Sequence, residues 1–178
     1  MAKGEVLLIA DHGVPLEIGF EACRLYHGED SIGGLALGFR LVRWALARLS
    51  PDAVPNREDI AFATAFPGPG LRDAVEMTTR AVSRGVWRVL SDAPLGAPEG
   101  VYGRMYFEVT LGDRTLPVML SPGALPEDFV LTGRRVKAGG ADPELLRHWT
   151  AVKHGLAEAI LCADPDAIFL PLKVRAGR

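Results

Sequence analysis

YHGEDSIGGLALGFRLVRWAL, residues 26–46, is the stretch on which the fold turns. It predicts a helix from Gly33 to Leu49, stopped by Ser50-Pro51. Leu35, Leu37, Phe39, Val42, Trp44, Leu46 and Leu49 spread apolar groups over more than one face. A helix that is apolar nearly all round sits at the centre of its domain. Gly34 and Gly38 leave a notch where a second backbone can approach. Glycine costs about 1 kcal/mol inside a helix, so the pair points to a packing or functional reason. Just ahead of this helix, His27, Glu29, Asp30 and Ser31 crowd an imidazole, two carboxylates and a hydroxyl together.

Upstream, GEVLLIAD (4–11) reads as a strand. Pro15 suits the first turn of a helix, and Leu16, Phe20, Cys23 and His27 continue a buried helical stripe that Gly28 closes. His27 is then expected at a helix C-terminus, on its inward side. Downstream, DIAFATAF (59–66) predicts a strand and FPGPG (66–70) a sharp turn. A third helix follows, with Leu71, Val75, Thr78 and Val82 on one face and Asp73 in its first turn. GVWRVL (85–90) predicts a short strand and 91–100 a loop, and 104–111 and 115–120 flank a hairpin turn at Gly112-Asp113-Arg114. Residues 121–141, rich in Pro and Gly, are expected to wander over the surface. Asp142-Pro143 opens a long helix to about Cys162, with Leu145, Trp149, Val152, Leu156 and Ile160 as its stripe. DAIFLPLKV (166–174) reads as a closing strand. Strands alternate with helices only in part. The order therefore predicts an α+β fold, a mixed or antiparallel sheet packed with helices, in one domain over 1–178.

Composition narrows the partners. The chain has 178 residues, 48% hydrophobic and 24% charged, which suits one globular core. A net charge of −2 gives no basic face, so nucleic acid is not an expected partner. Arg40, Arg43 and Arg48 read as a solvated helix face. Cys23 and Cys162 form no C-x-x-C pair, which points to a reducing, cytoplasmic setting. The apolar run in MAKGEVLLIAD is too short for a signal peptide, and no stretch suggests a membrane span.

The 27–31 loop carries the chemistry. His27 can donate or accept a proton or ligate a metal, and Asp30 or Glu29 can orient it or add oxygen ligands. His27 and Asp30 are the candidate catalytic pair. Ser31, Gly33 and Gly34 would offer free N–H groups to an anion at the start of the second helix. Gly68, Gly70 and Asp73 would do the same across the proline-rich turn, with Glu29 as a further ligand-binding side chain. The alternative is a plain helix cap with His27 hydrogen-bonded and passive. His12, His148 and His154 read as structural or solvent-exposed. There is no G-x-S-x-G elbow and no H-E-x-x-H helix.

Residues 26–46 resemble the opening motif of the FmdE-like family of formylmethanofuran dehydrogenase components, which runs approximately F-H-G-H-L-C-P-G-L-A-L-G. DAVEMTTRAV (73–82), VYGRMYFEVT (101–110) and ILCADPDAIFLPLKV (160–174) are similar, in order, to three further family segments. The resemblance implies an α+β core, pairing as a homodimer, with metal held by His and Cys in many members. His27 matches the first family histidine, while Glu29 stands where the second is expected. Ser31 or Ile32 falls at the first cysteine, Phe66–Gly70 at the second and Ala81 at the third, and Asp73 is retained. Neither Cys23 nor Cys162 matches a ligand position, and the C-terminal zinc finger of some members is absent. With the thiolates gone, His27 and carboxylates would hold a divalent metal only weakly.

The leading expectation is an FmdE-like homodimer that binds a small polar or anionic molecule in a cleft between the His27–Gly34 loop and the 66–73 turn. The alternatives are a metal-dependent enzyme of one-carbon metabolism, with a weak His/carboxylate site, and a non-catalytic assembly subunit.

Overall fold

The computed structural model describes residues 5–176. It is an α+β fold in which a mixed sheet packs against helices. The chain opens with a hairpin, β1 (Val6–Asp11) and β2 (Val14–Gly19), paired antiparallel. His12 and Gly13 form its two-residue turn at φ +49° and +78°, both left-handed, the geometry that matches the twist of paired strands. This corrects the expectation of a helix opened by Pro15. Leu16 and Ile18 face inward while Pro15 and Glu17 face water, which is the alternation of a strand. Pro15 is tolerated because, among the described residues, β2 pairs only with β1, so its missing N–H breaks no second ladder. The first helix, α1 (Phe20–His27), is therefore short and ends at Gly28, φ +85°.

The second helix, α2 (Ile32–Leu49), is almost wholly buried and is the axis of the domain. Arg40 is no solvated residue: it is buried and donates to the Glu5 carboxylate and to the Ala163 carbonyl. Arg43 Nε donates to the Val6 carbonyl at 2.9 Å, and Arg48, stacked over the Trp44 ring of its own helix, donates to the Asp166 carboxylate. All three arginines thus tie α2 to its neighbours.

After a short turn come β3 (Ile60–Thr64), α3 (Pro69–Thr79) and β4 (Trp87–Val89), a crossover that lays β4 parallel to β3. The third helix stops before Val82, because Arg80 turns left-handed at φ +56°. The strands β5 (Tyr106–Leu111) and β6 (Arg114–Leu120) form the expected hairpin. Residues 121–141 are more ordered than their composition suggested, since α4 (Glu127–Lys137) lies within them. Its first turn is acidic and its last turn basic, as the helix dipole favours, and the Pro and Gly residues at its flanks fall outside it. The long helix α5 (Pro143–Cys162) begins at Asp142, whose side chain accepts from the Leu145 N–H at 2.8 Å. The closing segment divides into a short α6 (Pro165–Ile168), β7 (Phe169–Pro171) and β8 (Arg175–Ala176). The strand order is β4-β3-β5-β6-β7, with β8 also on β6.

One hydrophobic core joins α2 to the sheet, the hairpin and α5. The α2–α3 crossing fixes the site. A Cβ on Gly70 would stand 2.2 Å from the Ser31 carbonyl, and one on Gly38 2.8 Å from the Ala74 Cβ. The notch foreseen in α2 is therefore filled by the start of α3.

Candidate functional site

The crossing brings the N-termini of α2 and α3 together, and a cleft of about 50 Å³ opens between them. Asp30, Ser31, Gly33 and Gly34 line one side, with Gly68, Pro69 and Gly70 on the other. Aromatic rings close the rest. Phe66 meets Tyr102 edge-on at 5.9 Å between centroids, and Phe129 meets Trp149 at 4.9 Å. Neither helix start is capped by a side chain: the Ser31 hydroxyl makes no capping bond, and Gly68 has none to offer. Two positive helix ends therefore border one small space.

Among the described residues, Lys153 from α5 supplies the only cationic side chain in the lining. Its side chain is 9% exposed, and its ammonium donates to Asp30 at 2.8 Å. Asp30 itself is 90% exposed. A desolvated cation is thus neutralised by a carboxylate that stands in water, an arrangement in which the carboxylate gains little from the pair. The Trp149 ring lies 5.7 Å from the same ammonium. Burial, and next the negative charge of Asp30, raise the Tyr102 phenol above its usual range.

His27 stands behind the cleft and not in its lining. Its ring is 7% exposed. The Ser31 N–H donates to Nε2 at 3.2 Å, which puts the proton on Nδ1, and Nδ1 donates to Asp73 at 2.7 Å. Both nitrogens are engaged, so in this arrangement the imidazole holds the 28–31 loop to α3 and offers no lone pair to a metal. Asp73 likewise faces His27 and, at 3.5 Å, Arg72. Glu29 turns away to Arg24, with His154 Nε2 at 4.0 Å. Asp30 is paired with Lys153 and does not orient His27. Of the residues expected to bind ligand, Ser31, Gly33, Gly34, Gly68 and Gly70 come together at the cleft, while Glu29 and Asp73 do not line it.

Among the described residues, one group of three could share a metal: Asp11, His12 and Glu58 at the hairpin tip. Glu58 already accepts from the His12 backbone N–H at 3.2 Å, and Asp11 is faced by Arg57 and Arg80, each at 3.4 Å. These contacts account for the cluster as an anchor of the tight turn. Cys23 is buried, which pushes its thiol up to about 12 and leaves it unreactive.

Lys153, Trp149, Phe129, Tyr102 and Phe66 were not foreseen as site residues. A signal existed for Lys153. It follows Trp149 by one helical turn and precedes Leu156, so it lies within the apolar stripe of α5, where a solvated lysine has no place. The aromatic residues come from separate elements and left no local trace. No protein-family model matches the chain, and no curated protein matches it significantly.

Proposed function

We propose that the protein binds a small carboxylate-bearing molecule, whose carboxylate enters the cleft between α2 and α3 and replaces Asp30 at Lys153. What supports this reading above all is the mismatch within the pair, a nearly buried ammonium held by an almost fully exposed carboxylate. A ligand carboxylate seated inside would meet the same charge in a drier setting, where charge-assisted hydrogen bonds strengthen. It would also meet the uncapped N–H groups of two helices. The cleft has room for a head group of a few heavy atoms. The remainder of the molecule would lie against Tyr102 and Trp149.

In this reading Asp30 is an internal competitor, which gives the test its sign. Acetate and benzoate, titrated while backbone amide NMR shifts are followed, bind the wild-type chain and perturb Ser31, Gly33, Gly34 and Gly70. Lys153→Met weakens binding about tenfold or more, the equivalent of about 1.4 kcal/mol. Asp30→Asn strengthens it, because the ammonium then lacks its internal partner. Equal binding to wild type and Lys153→Met, or weaker binding to Asp30→Asn, would rule the reading out.

The family proposal is a member of the FmdE-like group whose thiolate positions carry other side chains. It rests on the resemblance of residues 26–46 and on an α+β core of the kind that family implies. The homodimer belongs to the same proposal, and exposed Val14, Leu25 and Tyr26 on the first hairpin and α1 are consistent with it. Two free cysteines support a cytoplasmic setting. Among the described residues no helix is long and apolar enough to cross a membrane.

A further inference from the structure

The strand register places a second set of polar groups on the opposite face of the main sheet. Phe62, Phe107, Val109, Leu116 and Val118 point into the core. The residues between them point the other way. Arg88 pairs with Ala63, Ala63 with Glu108 and Glu108 with Pro117, a row across β4, β3, β5 and β6. A neighbouring row runs Ala61, Thr110, Thr115, Arg175 across β3, β5, β6 and β8. Cross-strand partners share a face, so these two rows form one surface. Ala61 and Ala63 leave it hollow at β3, between Arg88 at the edge strand and the polar groups of β5. The hollow is a cavity of about 610 Å³, walled by Val86, Arg88, Leu90 and Arg175.

We propose that this hollow is a second small-molecule site, taking a hydroxyl-rich monoanion whose acidic group pairs with Arg88 and whose hydroxyls meet Glu108, Thr110 and Thr115. The volume is that of ordinary ligand pockets. Arg88 has no carboxylate within 4.0 Å among the described residues, so its guanidinium is open to a bidentate acidic group. Glu108 is only 16% exposed and accepts from Tyr106 at 2.7 Å and from Arg175 at 2.5 Å, both at one oxygen. Its other oxygen remains an acceptor for a ligand hydroxyl. Thr110 and Thr115 share one hydrogen bond of 2.8 Å, which uses one hydroxyl proton and leaves the other to donate. Among the described residues, two guanidinium groups against one carboxylate give the site a single positive charge, which a monoanion neutralises. The hollow shares no lining residue with the cleft at Lys153. The two proposals therefore stand or fall separately.

The shared ligand chemistry is a polyol carrying one negative charge, as a carboxylate or as a phosphodiester. Gluconate and glycerophosphoglycerol, titrated at matched ionic strength against chloride, separate the two. The expected result is saturable binding of at least one probe at millimolar concentration, with amide shifts at Ala61, Arg88, Thr110 and Thr115. Arg88→Met weakens it about tenfold or more. Thr110→Val with Thr115→Val weakens it severalfold at unchanged volume, and Lys153→Met leaves it as in the wild type. The proposal is overturned if both probes behave like chloride, if Arg88→Met binds as tightly as wild type, or if Lys153→Met abolishes binding.

Discussion

Lys153 and Tyr106 show how the chain keeps polar groups out of water. Lys153 lies among aromatic rings with Asp30 as its carboxylate partner. Tyr106 is buried with its hydroxyl on Glu108. Burial first, and then the Glu108 carboxylate that accepts the hydrogen bond of its hydroxyl, push the Tyr106 phenol up to about 12. An unfolded tyrosine ionises near 10. Between about pH 10 and about 12 the folded chain keeps a proton that the unfolded chain releases, so stability falls as pH rises through that window. Below about pH 10 the contribution is fully present. Ring-carbon NMR should show Tyr106 titrating later in the folded chain than in the urea-unfolded chain, and Glu108→Gln should bring it down toward the ordinary range. An unchanged Tyr106 titration in that variant would refute this account. His27 is the residue at which reasoning from sequence and the tertiary arrangement part. Its identity and helix-end position were legible, but whether its nitrogens are free depends on Ser31 and Asp73, and Asp73 is 46 residues away.

The α2–α3 crossing makes its own prediction at the scale of elements, because its glycines are not equivalent. A Cβ on Gly70 would stand 2.2 Å from the Ser31 carbonyl and 2.5 Å from the Leu35 nitrogen, both backbone atoms that cannot move alone. Gly70→Ala should therefore cost more than the about 1–3 kcal/mol of ordinary overpacking, read as a lowered urea midpoint. A Cβ on Gly34 finds ordinary contact, 3.5 Å from the Leu71 nitrogen. Gly34→Ala should be neutral or gain up to about 1 kcal/mol from helix propensity. Equal losses in both variants would mean that the helices do not cross here. The glycine spacing in α2 was readable in the sequence, but its partner was not. Nothing local to 34 and 38 says that Gly70 and Ala74 fill the notch. The misreading of 14–19 has a similar cause. Leu16 and Phe20 fit a helical spacing, Leu16 and Ile18 a strand, and the left-handed turn at His12-Gly13 decides between them.

The whole molecule puts its two candidate sites on different surfaces: the cleft where α2 and α3 meet α5, and the hollow on the far face of the sheet. The exposed apolar side chains of the first hairpin and α1 belong to this scale too. On the homodimer proposal, sedimentation equilibrium at micromolar concentration gives twice the chain mass, and Leu25→Ser with Tyr26→Ser returns it to one. A wild-type chain sedimenting at single mass throughout would remove the dimer from the proposal.

By itself the sequence determined the elements whose signal is periodic and local. These are the all-round apolar α2, the sharp turn that feeds α3, the β5–β6 hairpin and the Asp142 cap of α5. It also determined that the 28–31 loop would carry polar residues and the 66–70 turn proline and glycine. The tertiary structure alone decided which of them face a common space, that Lys153 and four aromatic rings complete it, and that His27 stands outside. The physical reason is range. Helix periods and turn preferences act over a few residues, whereas Lys153 meets Asp30 across 123 positions, and only the packed core sets which distant side chains share one desolvated volume.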